Sequence, residues 1–257
     1  MSREIFLLRE LVRRDFAARY AGSVLGFLWS FVQPLWQLLL FTFVFSTVMK
    51  ISPVGERTDS FGIFLFCGLL PWTALSEGVT RSATAITENA ALVKKLSFPS
   101  ELLVGAVTLA ALLHEAIAAL IFVVVLVWLG ELSVVSLPLL LLALPVQVAL
   151  TLGLGMILAS VHVFFRDTAQ FVGMFMMGWF YFTPIVYPVS LVPDDYRPYI
   201  DINPLTPLVG LYRAAFLGST EPGLPPGTIY LIIFSLVLLL GGWWLFRRLR
   251  ATFADEI

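Results

Sequence analysis

Residues 102–129 read LLVGAVTLAALLHEAIAALIFVVVLVWL. The run holds only two ionisable side chains, His114 and Glu115. A helix rises 1.5 Å per residue, so about 20 mainly apolar residues cross the ~30 Å hydrocarbon layer of a bilayer. The stretch is long enough to cross, and this reading makes the chain a membrane protein. His114 and Glu115 fall near its middle, where exposing an ionisable group to lipid is costly. Adjacent helical residues diverge by about 100° and meet different neighbours. Packing between helices or subunits and a place along a pathway both remain open for the pair.

The whole composition agrees. Of 257 residues, 59% are hydrophobic and 13% charged, and the mean hydropathy is +0.93. A soluble domain carries roughly 25% charged residues, and one soluble core cannot hide this much apolar surface. The net charge of −1 gives no overall basic field for nucleic acid. The single cysteine, Cys67, excludes an internal disulfide and reads as a small packing residue. The first apolar run begins only near Phe27 and is too long for a cleaved leader, so it is expected to be a retained span.

Six stretches are expected to cross: Phe27–Met49, Phe61–Ala85, Leu102–Leu129, Leu137–Phe165, Thr168–Tyr187 and Ile229–Phe246. Pro71, Glu77 and Arg81 interrupt the second, whose polar end is expected to meet water or a protein-lined vestibule. An even number of spans puts both termini on one side. Twelve basic residues (Arg3, Arg9, Arg13, Arg14, Arg19, Arg81, Lys94, Lys95, Arg166, Arg247, Arg248 and Arg250) then share a face against four, Lys50, Arg57, Arg197 and Arg213. Positive residues favour the cytoplasm, so both termini are expected there.

Residues 1–25 precede the first span. Ile5, Leu8, Val12 and Phe16 share one helical face, with Arg3, Glu10 and Arg14 opposite. Glu10 and Arg14 form a favourable i,i+4 pair. The pattern predicts an amphipathic helix in the inner interface, with Arg19 spoiling its apolar face; a helix docked on a partner protein fits too. In TENAALVKKLSFPSE, Leu92, Val93 and Leu96 have helical spacing, Thr87 is a plausible N-cap and Pro99 ends the run. This predicts a short amphipathic helix on which a soluble motor could push, or an ordinary inner loop.

Between the fifth and sixth spans the chain turns proline-rich, with Pro184, Pro188, Pro193, Pro198, Pro204 and Pro207, yet stays apolar. In NPLTPLVGLYRAAFLG, Thr206 reads as N-cap, Pro207 as first helical residue and Gly218 as the stop. Leu208, Leu211, Tyr212, Ala215 and Phe216 form one apolar stripe. A short helix is expected to re-enter or lie on the outer leaflet, as a lid or simply at the interface. Just upstream lies GWFYFTPIVYP, Gly178–Pro188. Its consecutive rings spread over about 300° of a helix, so some meet lipid and only a subset can line a channel.

The sequence holds no GxxxxGK[ST] phosphate loop, no GxSxG elbow and no His/Cys cluster at metal spacing. Neither catalytic residues nor a metal site is expected. His162 sits at the inner end of the fourth span, where a polar interface role is expected. Asp194–Asp195 could bind a cation or serve a membrane enzyme, but a solvated loop tip explains it as well.

RRDFAARYAGSVLGFLWSFVQPL, ENAALVKKLSFPSE, FFRDTAQF, FTPIVYPVSLVP, NPLTPLVGLYRAAFLG and the closing FADEI, in this order over nearly the whole chain, resemble the permease subunits of ABC exporters for lipid-linked polysaccharides, the O-antigen, capsule and wall teichoic acid exporters. The resemblance implies an all-α membrane protein forming a single permease domain over 1–257 in the bacterial cytoplasmic (inner) membrane. It has six transmembrane helices, an interface helix at 1–25, a cytoplasmic coupling helix at 87–98 and outer gate helices within 189–218. It further implies a homodimer, each copy bound to a cytoplasmic ATPase on a separate chain; this chain needs no cofactor, and ATP and Mg²⁺ belong to that partner. The cargo would be a glycan on a polyprenyl pyrophosphate or related carrier, with membrane lipids around it and no nucleic acid partner.

In such exporters the first and fifth spans line a channel at the dimer centre. Trp29, Trp36, Phe175, Trp179, Tyr181 and Phe182 are therefore the candidate lining, since rings can contact the C–H faces of sugars anywhere along a polymer. Arg14, Arg19 and Arg166 are candidates for the carrier pyrophosphate at the inner entrance. Asn89, Leu92, Val93, Lys94 and Lys95 would couple to the ATPase; Pro184, Tyr187, Pro204, Pro207, Leu211 and Tyr212 would form the outer gate. An ABC exporter of drugs or simple lipids, a membrane-embedded glycosyl- or phosphotransferase, and a membrane scaffold remain as alternatives.

Overall fold

Phe61–Glu88 forms a helix, α3, around which the others gather. We analysed a computed structural model that describes residues 3–20, 22–23, 25–50, 52–94, 98–219 and 223–257, without the side chains of Arg3, Ala18, Arg19 and Tyr20. Ser60 starts α3 in an extended conformation, its hydroxyl accepting from the Ile63 N–H at 3.5 Å. Most of its apolar residues, Phe64 to Ile86, are buried. Five longer elements pack directly on it: α2 (Gly26–Val48), α5 (Glu101–Leu129), α6 (Leu140–Phe164), α7 (Thr168–Phe182) and α9 (Leu205–Leu217). A one-turn helix, α4 (Ala90–Val93), separates α3 from α5. α1 (Arg3–Tyr20) lies against α5, burying Leu11 and partly burying Leu8 and Val12 beside Leu103, Val104 and Val107. Ile5, placed by the sequence on the apolar face, is 56% exposed.

After α7 the chain makes short helical turns, including α8 (Arg197–Asp201), then α9 (Leu205–Leu217), α10 (Thr228–Leu249) and a last turn, α11 (Phe253–Glu256). α10 runs along α6. The contact is close because Gly242 faces the Gly153 backbone: a Cβ on Gly242 would lie 2.5 Å from the Gly153 carbonyl oxygen. Small residues allow such close approach between spans. α5 closes on Gly130, whose φ of 74° suits glycine, and the Glu131 N–H reaches the Leu126 carbonyl at 2.9 Å.

Among the described residues, five helices are long and apolar enough to cross a membrane: Gly26–Val48, Phe61–Glu88, Glu101–Leu129, Val134–Phe164 and Thr228–Glu256. Among the described residues there is no strand. The protein is an all-helical, multi-pass membrane protein.

Several boundaries differ from those expected, three of them at candidate functional segments. The fifth predicted span, Thr168–Tyr187, is helical only to Phe182. Pro184 forbids a helical Thr183, which adopts φ −94° and ψ 137°. At 1.5 Å per residue α7 reaches about 22 Å, short of the hydrocarbon layer by itself. The second span runs on to Glu88, so Thr87 is no N-cap: its hydroxyl donates to the Thr84 carbonyl inside α3. The expected helix at 87–98 is the single turn α4, and Lys95 and Leu96 lie outside the described residues. Finally, α9 begins at Leu205, two residues before the predicted start at Pro207. Thr206 does not cap it, since that hydroxyl donates back to the Ile200 carbonyl; the Asn203 side chain accepts from the Leu205 N–H instead.

Candidate functional site

α3 is buried except for one face. Thr73, Ser76, Glu77, Thr80, Arg81 and Thr84 recur at i, i+3 or i+4 along it and remain partly or fully accessible. A face of hydroxyls and charges on a crossing helix must meet water or protein, because hydrocarbon satisfies neither. Two clefts flank it. On one side Thr73 and Glu77 join Gln33 and Gln37 of α2 and His114 and Glu115 of α5 around a cavity of about 190 Å³. On the other, Ser76 and Thr80 join Trp72, Met177, Phe180 and Tyr181 around a cleft of about 350 Å³. The stripe therefore runs between α2 and α7.

The candidate rings divide across these surfaces. Trp29 and Trp36 are exposed on α2, at 41% and 62%. On α7, Tyr181 borders the hydroxyl-bearing cleft. Phe175, Trp179 and Phe182 line a different one, about 640 Å³, between α7, α6 and α10, with Leu154, Phe234 and Leu238 in its walls. The six residues thus do not form one surface. α7 turns one ring-bearing face toward aliphatic side chains and another toward the polar stripe.

Asn203 joins α7 to the start of α9. Its side-chain oxygen accepts from the Leu205 N–H at 3.0 Å and from the Trp179 indole at 2.9 Å. Its amide donates to the Thr183 hydroxyl at 3.0 Å. Trp179 is thereby fixed in orientation by the same side chain that accepts from the first N–H of α9. Tyr187 donates to the Tyr181 carbonyl at 3.1 Å, while Pro184, Pro204 and Pro207 are buried or half-buried around the junction. Leu211 and Tyr212 are buried, at 0% and 1%, and anchor α9 against α3. The sequence foresaw the stripe of Leu208, Leu211, Tyr212, Ala215 and Phe216, but α9 is buried on nearly all sides. It enters the bundle rather than lying on a leaflet. Even Arg213 is inside, 3.6 Å over the Phe64 ring and donating to the Ile185 carbonyl at 3.0 Å.

A buried polar bridge ties α9 to the spans. The Tyr212 hydroxyl donates to the Gln147 side-chain oxygen, and the Gln147 amide donates to Glu115 at 2.8 Å. Neighbouring His114 turns toward Glu77, its Nδ1 3.8 Å from the carboxylate. Glu77 also pairs with Arg81, which pairs in turn with Asp15 of α1. His114 and Glu115 do meet different neighbours, as their adjacency requires.

Where α1 meets the turn before α4, Arg14 donates to the Asn89 side-chain oxygen at 2.7 Å, and the Asn89 amide donates to the Ala85 carbonyl at 2.9 Å. Arg14 thus bonds across to the turn before α4, whereas the sequence paired it with Glu10. Leu92 and Val93 are half-buried against the Leu11–Val104 cluster, whereas Lys94 is exposed. Arg166 is exposed in the turn between α6 and α7, and the Arg19 side chain lies outside the described residues. Just before α8, Asp194 pairs with Arg197 at 3.2 Å in an exposed turn. Among the described residues no group of three or more His, Cys, Asp or Glu could hold a metal ion.

Gln33, Gln37, Gln147, Asn203 and the hydroxyl stripe escaped the sequence reading. Their signal was a polar residue in an apolar run, repeated every fourth position on α3.

Compared with known proteins, residues 7–217 match the family described as ABC-2 type transporter. The chain is 32% identical over 253 residues to the O-antigen export system permease protein RfbA of Myxococcus xanthus, covering 98% of this chain and 95% of that protein. A protein of the same name from Klebsiella pneumoniae is 30% identical, covering 97% and 94%. The polysialic acid transport protein KpsM of Escherichia coli is 28% identical, covering 92% and 91%.

Proposed function

The chain belongs to the ABC-2 type transporter family, and on that premise we propose that it is the membrane subunit of an ATP-driven exporter of a lipid-linked polysaccharide. Two copies form the channel, and a separate cytoplasmic ATPase, with its own ATP and Mg²⁺, drives it. Both termini are cytoplasmic and six segments cross the membrane, α7 completing its crossing through the extended residues after Phe182. The names of the relatives favour O-antigen or capsular polysaccharide over teichoic acid as cargo.

The observation that carries the reading is the stripe on α3, flanked by polar side chains of α2 and α5 on one side and by the rings of Trp72, Phe180 and Tyr181 on the other. A sugar polymer offers hydroxyls and apolar C–H faces at every repeat. Serine and threonine exchange hydrogen bonds with the former, and Trp29, Trp36 and Tyr181 contact the latter. Scattered weak contacts let such a chain slide where one tight charged site would hold it. Arg14 and Arg166 at the inner end supply donors for the carrier pyrophosphate. The ATPase acts on the Asn89–Lys95 segment, which the Arg14–Asn89 bond joins to α1. The Glu115–Gln147–Tyr212 bridge and Asn203 hold α9 and the proline-rich segment as an outer gate.

Deleting the chain in its host should remove a polysaccharide from the cell surface and trap it inside. Restoring it with Ser76→Leu and Thr80→Leu together should give normal protein levels with at least about tenfold less surface glycan, since two hydrogen bonds of about 1 kcal/mol each are lost. Unchanged surface glycan after deletion would overturn the function. Full rescue by the double variant would take the stripe out of the pathway. Export of a simple lipid is the second reading, favoured by the aliphatic cleft beside Phe175 and Phe182; the deletion would then change lipid distribution and leave surface glycan intact.

A further inference from the structure

We propose that the inner end of α10 is a binding site for the headgroup of an anionic phospholipid. The inference needs only that the chain crosses a bilayer; it is independent of the cargo.

Trp243, Trp244, Arg247 and Arg248 occupy i, i+1, i+4 and i+5 in WWLFRR. Together these four side chains line a recess of about 550 Å³. Each guanidinium lies over the indole one turn earlier, Arg247 at 5.6 Å from Trp243 and Arg248 at 5.3 Å from Trp244. α10 packs on α6 through the opposite face, where Gly242 and Phe246 are buried. At about 100° per residue, the mean direction of the four lies about 150° from Gly242 and Phe246, so they point out of the bundle toward lipid.

The charge of this cluster is uncompensated, unlike that of Arg250 and Arg81. Arg250 is taken up by Glu101, both carboxylate oxygens lying 2.9 Å from one nitrogen. Arg81 pairs with Asp15 and Glu77. Among the described residues, Arg247 and Arg248 pair with no carboxylate. Two positive charges thus stand side by side where the helix leaves the hydrocarbon, each steadied by an aromatic face. Guanidinium groups only donate, and their fork matches a phosphate diester. The two indoles supply the amphipathic walls that suit the headgroup level. A zwitterionic lipid would bring a cation back beside the two arginines; an anionic one neutralises them.

The full-length protein in detergent should be titrated with brominated-chain phosphatidylglycerol and, separately, brominated-chain phosphatidylcholine, following tryptophan quenching. The wild type should prefer the anionic lipid by about tenfold or more, as two basic residues near the surface allow. Arg247→Gln with Arg248→Gln should reduce the preference to near unity, and the paired lysine variant should keep only part of it. Equal binding of both lipids by the wild type, a result needing no variant, would overturn the proposal and leave a nonspecific interfacial anchor. So would an unchanged preference in the glutamine variant. Inorganic phosphate at the same concentration should not relieve the quenching; if it does, the site takes free phosphate rather than a lipid.

Discussion

Gln147 lies between two groups that cannot be buried alone. Tyr212 donates to its oxygen and Glu115 accepts from its nitrogen, and all three are nearly inaccessible. Replacing it with leucine strands a hydroxyl and a carboxyl in the protein interior. Stranded buried polar groups cost about 2–5 kcal/mol, so Gln147→Leu should lower the melting temperature of the detergent-solubilised protein substantially. Adding Glu115→Leu and Tyr212→Phe should recover most of the loss, because an apolar core of similar volume tolerates the site. If the triple variant melts no higher than the single one, the bridge is not what holds α9. The sequence displayed Glu115 as an ionisable residue at mid-span, but its partner lies 32 positions away on another helix. Periodicity reports which face a residue occupies and is silent on what stands opposite. For the same reason Asn203 escaped notice, although its side chain accepts from the first N–H of α9 and orients Trp179 at once.

Long apolar runs were legible as helices because lipid demands them; their ends were less so. Pro184 marks the end of α7 through a rule acting on the preceding residue, and the eye follows hydrophobicity past it to Tyr187. The second span passes its expected end because TAITE contains nothing that breaks a helix. Packing between helices leaves a faint trace in the paired Gly241 and Gly242, which sequence alone cannot tell apart. The fold separates them. A Cβ on Gly242 would meet the Gly153 carbonyl, while one on Gly241 finds nothing within 4 Å. Gly242→Leu should therefore push α10 off α6 and destabilise the protein by about 1–3 kcal/mol or more, the usual cost of overpacking. Gly241→Leu should leave the melting temperature within about 1 °C of wild type, as expected for an exposed site. Equal effects from the two would mean that α6 and α10 do not meet through this face.

Across the whole molecule, the polar face of α3 is the feature that the proposed pathway needs and that a bundle only filling a membrane would lack. The helix is the most enclosed of the long spans, yet it keeps Thr73, Ser76, Glu77 and Thr80 accessible between α2 and α7. If that face met lipid, its hydroxyls and carboxylate would go unsatisfied. If a second copy covers it, the space between copies must hold water or cargo. Cysteine chemistry can read the difference, because the one native thiol, Cys67, is fully buried and should contribute little background. Thr73→Cys and Ser76→Cys in intact membranes should react with a small, charged, water-soluble maleimide. Ile233→Cys, 57% exposed on α10, should not, since the thiolate that reacts does not form in hydrocarbon. Labelling at all three positions would mean water reaches the outside of the bundle and the test lacks contrast with lipid. Labelling at none would mean that the face is sealed by protein, and the pathway would have to be sought in the aliphatic cleft beside α10 instead.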